Sequence, residues 1–364
     1  MSRRLYRVLL LIPHLTGGGA ERQCQLLSAG LHASGWEVHV GYWRGEVSKL
    51  TSDVSAGIIY HYLGTRLAYD PRILYRIACL IRAFRPHVVH TWLHQMDIFG
   101  GLAALACRTA WVVAERSNAD IYTSYKCQLR RFVGRYADMV IANSDAGIEY
   151  WSQTGRSPRQ RVVPNGLSID AIAHAPAMDV GTLQCPLIIT VGRLISSKRP
   201  LELITALSNG LRLGHYHLAI IGDGPLSNDV HQLVKDLGIA SNVTITGFIP
   251  AEAVWRWLRR AQGFIFLSDL EGQPNVVMEA MAAGCPAVVS DIPAHRVLLT
   301  EKSALFVHSR DVNAVGTAID QIIADPVKAQ ERAAIAQQYI RRWSVGAMTE
   351  AYECAFLSLI KRRF

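Results

Sequence analysis

The amino-acid sequence predicts an α/β protein made of two doubly wound, parallel-sheet domains. Short apolar strand candidates alternate with amphipathic helical stretches, which is typical of βαβ units. The alternation starts again after RVVPNGLSID (161–170), whose Pro, Asn and Gly indicate a connection. A chain of 364 residues, half of them hydrophobic, is long enough to bury two cores. We therefore predict domains at residues 1–168 and 169–344.

The first domain is predicted from six apolar runs that fit buried parallel strands. In order they are YRVLLLIPHL (6–15), WEVHVGYW (36–43), GIIYHYL (57–63), HVVHTWL (87–93), AWVVAER (110–116) and ADMVIANS (137–144). The helical stretch AERQCQLLSAGLHASG (20–35) repeats apolar residues at i, i+3 and i+4. The arginines before the first run resemble the start of a signal peptide. That run is short, is broken by Pro13 and lacks a small-residue cleavage site, so we predict a strand.

The second domain is predicted from five further strands and the helices between them. The strands are CPLIITVGRL (185–194), YHLAIIGDGP (216–225), NVTITGFI (242–249), QGFIFLS (262–268) and PAVVSD (286–291). Helical stretches lie at 200–211, 227–238 and 251–261, and the chain looks helical from residue 310 to its end. Parallel strands of this kind carry ligands beyond their carboxyl ends, so we expect the functional loops there.

The net charge of +9 belongs to the first half of the chain. Residues 1–165 contain 20 Lys and Arg against 11 Asp and Glu, whereas the remainder contains 18 of each kind. A one-sided basic domain favours an anionic partner, namely a membrane surface, a phosphorylated acceptor or nucleic acid, although ordinary solvated charge is an alternative. We find no RNP-like aromatic pattern and expect no nucleic acid. Seven scattered cysteines without a C-x-x-C pair fit a reducing cytoplasm.

The stretch EGQPNVVMEAMAAGCP (271–286) reads as a loop followed by a short apolar helix. Pro274 suits the first helical turn, and Gly284 followed by Pro286 is a common helix stop. The amino end of this helix, with its free N–H groups, would favour a phosphate. Glu271 and Glu279 could accept hydrogen bonds from sugar hydroxyls, or they could be two surface glutamates near a helix start.

This stretch resembles the E-x7-E signature of the retaining family 4 glycosyltransferases, and the resemblance spans residues 8 to about 300. The agreement includes Glu271, Gly272, Pro274, Glu279, Ala280, Met281, Ala282, Gly284 and Pro286. The resemblance implies that Glu271 lies by the donor sugar and that Glu279 holds the ribose. It also implies a GT-B architecture, in which two facing Rossmann-like domains enclose a cleft. The C-terminal helix, residues 345–364, would then pack back on the acceptor-binding first domain.

Other segments match the same family in the expected order. VGRLISSKRP (191–200) resembles the loop in which Arg193 and Lys198 bind the donor diphosphate, and such a pair after a strand is a natural pyrophosphate clamp. LTGGGAERQ (15–23), with Gly18 and Gly19, resembles the family's glycine-rich start; it lacks the G-x-G-x-x-G spacing of a dinucleotide fingerprint. The remaining donor-site candidates are Gly222 of IGDGPL, Phe248 of VTITGFI, and Gln273, Asn275 and Val276 of the E-x7-E stretch.

The acceptor side departs from the family pattern. Where members often carry a histidine, this sequence has Glu115, Arg116 and Ser117. HTWLHQMDIFGGLAA (90–104) resembles a T-W-x-x-H-x-D pattern, but His94 stands one place early and Gln95 occupies the usual slot. We predict His94, Gln95 and Arg116 as acceptor-binding residues, with His94 joining Glu271, Arg193 and Lys198 as catalytic candidates. A core or surface role for His94 is the alternative.

The resemblance implies a retaining hexosyltransferase that needs no metal and no cofactor. Asp269 and Glu271 superficially resemble a manganese-binding motif, but the E-x7-E pattern explains them better. Expected partners are a nucleotide diphosphate sugar, with UDP-sugars favoured, and a saccharide or lipid-linked acceptor of a cell-surface polysaccharide or lipopolysaccharide. An anionic membrane surface is a third expected partner. We therefore predict a cytoplasmic enzyme on the inner face of the membrane. The alternatives are a nucleotide-sugar epimerase of the same architecture and a non-catalytic nucleotide-sugar-binding protein.

Overall fold

The computed structural model describes residues 5–50, 56–65, 70–116, 125–152, 158–181 and 183–363, with the side chains of Lys49 and Arg363 excepted. The chain divides into two compact units, Met1–Gly166 with Trp343–Phe364, and Leu167–Arg342. The two boundaries, after Gly166 and after Arg342, each lie two residues before the predicted boundaries at residues 168 and 344.

The first unit is built on a seven-stranded parallel sheet with the strand order β3-β2-β1-β4-β5-β6-β7. Its strands are β1 (Arg7–His14), β2 (Glu37–Arg44), β3 (Ile59–Tyr62), β4 (Val88–Trp92), β5 (Ala110–Glu115), β6 (Met139–Ala142) and β7 (Arg159–Val162). The helices that connect them are α1 (Gly19–Ala33), α2 (Arg72–Phe84), α3 (Leu93–Ala106), α4 (Tyr125–Gly134) and α5 (Asp145–Ser152).

The second unit is built on a six-stranded parallel sheet with the order β10-β9-β8-β11-β12-β13. Its strands are β8 (Leu187–Val191), β9 (His217–Ile221), β10 (Val243–Gly247), β11 (Gly263–Phe266), β12 (Ala287–Ser290) and β13 (Leu305–Val307). Its helices are α6 (Ile169–Ala173), α7 (Pro200–Arg212), α8 (Ser227–Asp236), α9 (Ala251–Arg260), α10 (Asn275–Ala283), α11 (Pro293–Leu298), α12 (Val312–Ala324) and α13 (Pro326–Ile340).

The last helix, α14 (Val345–Arg363), returns to the first unit. Its buried residues Met348, Tyr352 and Phe356 belong to the same apolar cluster as Leu10 of β1 and Leu27 of α1. A second cluster covers the other face of the same sheet and draws on α2 to α5. Both faces of the sheet are therefore buried, which explains why its central strands read as continuous apolar runs.

The prediction of two parallel-sheet α/β domains is confirmed, and all eleven predicted strands are present. Two further strands were not predicted. β7 has the sequence RQRV and is an edge strand with mostly exposed side chains, so it lacks an apolar run. β13 has three residues and ends the other sheet. Edge strands bury less surface than central ones, and hydrophobic patterning detects them poorly.

Candidate functional site

Most candidate donor residues of the second unit lie on the loops that follow β8, β9 and β11, while Phe248 follows β10 and Glu279 lies in helix α10. Gly192 and Arg193 follow β8, and they line a recess together with Lys198 and with Phe266 at the end of β11. The loop after β9 lies close to the loop after β8, and the Gly192 N–H donates to the Ile221 carbonyl at the end of β9 over 2.9 Å.

Glycine is required where these two loops meet. Gly222 has a φ of +140°, and a Cβ there would stand 2.0 Å from the Gly192 carbonyl oxygen. A Cβ on Gly224 would stand 2.4 Å from the Leu194 carbonyl oxygen. Any side chain at these positions would separate the loops, so the glycines allow the backbones to line one recess.

The central contact of the site joins Lys198 to Glu271. The Lys198 ammonium contacts the Glu271 carboxylate, and its nitrogen stands 4.7 Å from the centre of the Phe266 ring. Both side chains are largely buried, with 20% and 14% of their surface exposed. Burial lowers the pKa of Lys198 to about 8. The structure thus brings together two residues that the sequence assigns to the diphosphate and to the donor sugar.

A second ion pair, which the sequence does not reveal, braces the same loops. The Arg199 guanidinium donates to both carboxylate oxygens of Asp269, and Ser309 donates to the same carboxylate over 3.0 Å. The Asp269 N–H also donates to the Ser197 carbonyl over 2.9 Å. Asp269 therefore anchors the loop that carries Glu271 to the loop that carries Lys198. Asp269 was noted in the sequence only for its superficial resemblance to a manganese-binding motif, and its pairing with Arg199, 70 positions away, follows from no local pattern.

Helix α10 presents the E-x7-E stretch with one correction to its predicted start. Pro274 occupies the position before the first turn, and helical geometry begins at Asn275. Proline is accepted both as the first helical residue and as the residue just before the helix. At both positions it disfavours helical backbone only at the residue that precedes it. At the other end Gly284 adopts a left-handed φ of +69°, as predicted for a glycine stop. Glu279 lies in the middle of the helix and is only 7% exposed.

The remaining donor-site candidates differ in their exposure. Gly272, Gln273, Asn275 and Val276 are half-buried around the start of α10. Phe248 follows β10 and is 71% exposed. In the first unit, Gly18 lies on the exposed loop between β1 and α1 and Gly19 is the exposed first residue of α1, while Gly17 beside them has a φ of +121°. Roles for these residues stay predictions.

His295 is a buried group near Lys198 that no sequence motif indicates. Its Nδ1 donates to the Ser290 carbonyl over 2.7 Å, while its Nε2 has no hydrogen-bond partner among the described residues. The ring lies 5.7 Å from that of Phe266. Burial lowers the pKa of His295 to about 4, and the charge of Lys198 acts in the same direction.

The candidate acceptor residues of the first unit lie at the carboxyl ends of β4 and β5. His94 and Gln95 are in the first turn of α3, directly after Leu93, whose φ of +66° is unusual for a residue with a side chain. The His94 Nε2 stands 3.4 Å from the Cys127 sulfur. Burial lowers the pKa of His94 to about 4, and the nearby Arg130 acts in the same direction.

A buried charge network connects this region. Thr91 and Asp97 belong to the T-W-x-x-H-x-D pattern and Glu115 was noted beside Arg116, but no sequence motif indicated Arg130 or Trp151. The Arg130 guanidinium donates to Asp97 over 2.6 Å and to Glu115 over 2.7 Å. Thr91 donates to Asp97, and the Trp151 indole donates to Glu115. Burial raises the pKa of Asp97 to about 6, although Arg130 favours the ionised form. Two carboxylates therefore share one guanidinium. The sequence signal for this network was Asp97, the one acidic residue in the apolar stretch 93–106.

Arg116 is held by side chains from distant parts of the first unit. Its guanidinium donates to Asn165 over 2.8 Å and also to the hydroxyl of Tyr352 on α14. The same group lies 4.1 Å from the centre of the Trp92 ring. These contacts fix the side chain next to Glu115, to which the Arg116 N–H donates over 2.8 Å.

Three further observations bear on metals, membranes and thiols. Within the described ranges, no three His, Cys, Asp or Glu side chains are grouped so that they could hold a metal ion. No helix in the described part of the chain is both long and apolar enough to cross a membrane. All seven cysteines are free thiols.

Comparison with known proteins matches both units. Residues 17–171 match the family model described as Glycosyltransferase Family 4, and residues 183–343 match the model described as Glycosyl transferases group 1. A solved structure of Anabaena Alr3699/HepE in complex with UDP and glucose superposes with a TM-score of 0.82, covering 97% of this chain and 100% of that chain at 17% identity. The GT-B fold expected from the sequence is therefore confirmed.

Two curated relatives extend this similarity. The lipopolysaccharide core biosynthesis glycosyltransferase LpsD of Rhizobium meliloti is 25% identical over 355 residues, which cover 93% of this chain and 94% of that protein. The GDP-mannose-dependent alpha-(1-6)-phosphatidylinositol monomannoside mannosyltransferase of Mycolicibacterium smegmatis is 30% identical over 217 residues, covering 55% of this chain and 56% of the relative. Since family models match the chain from residue 17 to residue 343 with only a short break at the connection, the protein belongs to the family 4 type of glycosyltransferases.

Proposed function

We propose that the protein is a retaining hexosyltransferase that transfers a sugar from a nucleotide diphosphate sugar to a saccharide acceptor. The observation that carries the proposal is the contact between Lys198 and Glu271 on the loops after β8 and β11. A cation and a carboxylate at the carboxyl ends of parallel strands can serve a diphosphate and the hydroxyls of a sugar.

In this proposal Lys198 and Arg193 neutralise the donor diphosphate. A diphosphate that enters the recess would compete with Glu271 for the Lys198 ammonium, which releases the carboxylate to accept from sugar hydroxyls. The amino end of α10 adds its free N–H groups. Since these groups can balance the negative charge, the proposed reaction requires no metal.

Retention follows from attack on the face that the leaving group occupies. The bond between the anomeric carbon and the diphosphate oxygen breaks, and the bond to the acceptor oxygen forms on the same side. The acceptor's proton passes to an oxygen of the departing nucleoside diphosphate, so no protein nucleophile takes part. The protein contributes positioning and charge stabilisation.

Glu279 is proposed to hold the ribose, and His94, Gln95 and Arg116 are proposed to bind the acceptor. The acceptor class follows the relatives, one of which is named for the lipopolysaccharide core and another for a phosphatidylinositol mannoside. We therefore favour a lipid-linked or cell-surface saccharide, used on the cytoplasmic face of the membrane. We favour a UDP-sugar as the donor, because the similar solved structure contains UDP. One relative is named for its dependence on GDP-mannose, so GDP-sugars are tested as well.

The test is a panel of UDP-, GDP- and ADP-sugars, measured by thermal shift and by nucleotide release with and without lipid-linked saccharides. We expect one donor class to raise the melting temperature in the presence of EDTA, and nucleotide release to require an acceptor. NMR of the product should show that the anomeric configuration is kept. Donor turnover without any acceptor would favour an epimerase and contradict the proposal.

Replacing either Glu271 or Glu279 by glutamine distinguishes the roles proposed for these two residues. Glu279→Gln should weaken donor binding by about ten-fold, because the charged acceptor of a hydrogen bond from the ligand is replaced by a neutral one. Glu271→Gln should chiefly lower kcat. Glu331→Gln, at an exposed position on α13, is the control and should behave like the wild type. Equal effects of all three variants would refute both roles.

A further inference from the structure

Three adjacent helices of the first unit, α2, α3 and α4, cover one face of its sheet. Their inner sides belong to a single apolar cluster, to which they contribute Ile77, Met96, Ala103 and Val133 among others. Their outer sides face away from that cluster and are exposed. Those outer sides have an unusual composition.

Helix α4 exposes its most apolar side chains. Tyr125, Leu129 and Phe132 are 73%, 46% and 55% exposed, and Tyr136 just beyond the helix is 40% exposed. These positions follow the i, i+4, i+7, i+11 spacing of one helical stripe. The buried stripe of the same helix contains Arg130 instead, because the Asp97 and Glu115 carboxylates hold it inside. A solvent-facing helix side is normally polar, and an apolar one marks an interaction surface.

Neighbouring helices continue this surface. Leu102 and Leu105 of α3 are each 39% exposed, and Tyr75 of α2 is 70% exposed. We call the exposed apolar residues of these helices, together with the cations among them, the basic aromatic face. Its apolar members are Tyr75, Leu102, Leu105, Tyr125, Leu129, Phe132 and Tyr136.

The charge on this face has a single sign. Apart from the buried Arg130, the cations of the three helices are Arg72, Arg76, Arg82, Lys126 and Arg131, with Arg135 directly after them; Arg72 is exposed and pairs with the buried Asp70. The only acidic residue within the three helices is Asp97, which is fully buried. The outer side of the three helices therefore carries no carboxylate. Helix α5, with exposed Asp145 and Glu149, marks the limit of the face.

Cations and rings are also paired in the manner of an interfacial surface. The Arg135 guanidinium lies 4.1 Å from the centre of the Phe132 ring and 4.9 Å from that of Tyr136. Its NH2 group donates to the Tyr136 hydroxyl over 2.9 Å. Aromatic rings and the aliphatic parts of arginine favour the boundary between headgroups and acyl chains, while the charged ends meet lipid phosphates.

We propose that the basic aromatic face docks the protein on an anionic phospholipid membrane. The single-sign charge complements an anionic headgroup layer, and the exposed rings and leucines can enter its apolar edge. A second copy of the chain is a poorer occupant, because self-association would place cations against cations. The proposal does not depend on the donor site of the second unit, so the two can fail separately.

The test is co-flotation of the full chain with phosphatidylcholine vesicles that either contain or lack phosphatidylglycerol. We expect binding only to the anionic vesicles, with a steep decrease as salt is added. Phe132→Glu should reduce the partition coefficient by about ten-fold or more, since it removes a ring and adds a repelled charge. Arg135→Gln should reduce it by about five-fold.

Controls use exposed positions of the second unit. Leu213→Glu and Lys235→Gln make the same kinds of change and should leave binding at the wild-type level. All variants should keep the wild-type thermal shift with the donor. The proposal is overturned if binding to neutral vesicles is equal, if Phe132→Glu still binds, or if the face instead proves to hold a dimer that Phe132→Glu dissociates.

Discussion

Lys198 and Glu271 lie 73 positions apart in the chain, and their charged groups meet because β8 and β11 are neighbours in the second sheet. Each residue stands on the loop after its own strand. The ion pair of Arg199 and Asp269 joins the same two loops, so the position of Lys198 and Glu271 does not depend on two flexible side chains alone. A preorganised pair of opposite charges can exchange one partner for a ligand with little rearrangement.

The first prediction concerns nucleotide affinity and pH. Burial lowers the pKa of Lys198 to about 8, so the ammonium loses its charge as the pH rises through that value. We expect the Kd for the nucleoside diphosphate to rise above pH 8, by up to about ten-fold for each charge-assisted hydrogen bond that the neutral amine no longer makes. Isothermal titration between pH 6.5 and 9.5 measures this change.

Two variants test the assignment to Lys198. Lys198→Arg should keep its charge and remove the decrease in affinity up to pH 9.5, because a guanidinium stays protonated. Glu271→Gln should move the decrease to lower pH, since the neighbouring carboxylate favours the charged lysine. An identical pH profile in all three proteins would show that another group controls binding.

The second prediction concerns Gly222. Gly222→Ala combines a φ of +140° with a Cβ placed 2.0 Å from a backbone oxygen that cannot turn aside. We expect a loss of about 2–4 kcal/mol in the free energy of unfolding, together with weaker nucleotide binding. Gly238→Ala is the matched control, because its φ is +66° but the space around it is open. It should cost only about 1–2 kcal/mol and leave binding intact. Urea unfolding gives both values, and equal losses would contradict the steric argument.

The sequence was sufficient for the central strands and for the edge strands β3 and β10, but insufficient for the edge strands β7 and β13. Strands such as β1 and β8 are buried on both faces, so apolar runs marked them clearly. β7 has exposed, mostly polar side chains and is defined by its backbone pairing with β6, which no local pattern encodes. Pro274 was misplaced by one position for a similar reason, since proline is accepted at both places.

For the site, the sequence could supply residue types but not their pairing. Lys198 and Glu271 were predicted for different parts of one ligand, and their mutual contact depends on the order of strands in the sheet. Arg130 reads as one more surface cation in a basic run, yet it is 2% exposed and joins two buried carboxylates. Burial of a charge depends on tertiary packing, and no spacing rule reports it.

The third prediction concerns this buried network. Arg130→Met would leave Asp97 and Glu115 buried without their common counter-charge, so we expect a loss of about 3–5 kcal/mol in the free energy of unfolding. Arg82→Met makes the same chemical change at a more accessible position of α2 and should cost less than about 0.5 kcal/mol. Guanidinium titrations of both variants measure the difference. If Arg130→Met is as stable as Arg82→Met, the network is not holding this region.

The fourth prediction concerns acid stability and His295. Burial lowers the pKa of His295 to about 4, whereas an unfolded histidine titrates near 6.5. Between these values the unfolded chain binds the extra proton, so the free energy of unfolding should decrease as the pH falls from 6.5 towards 4. A single such group contributes a slope of up to about 1.4 kcal/mol per pH unit. Urea midpoints at pH 7, 6 and 5 follow this change.

His295→Gln removes the titrating group while retaining a side-chain amide donor near the Ser290 carbonyl that Nδ1 now contacts. The variant should be less stable than the wild type at pH 7, because the ring packed by Phe266 is removed, but it should lose less stability on acidification. His231→Gln, at an exposed position of α8, should decline in parallel with the wild type. His90 is also fully buried with a pKa well below its ordinary value, so part of the acid sensitivity will remain in either variant. If His295→Gln declines as steeply as His231→Gln, the buried imidazole of His295 does not set the acid limit of the fold.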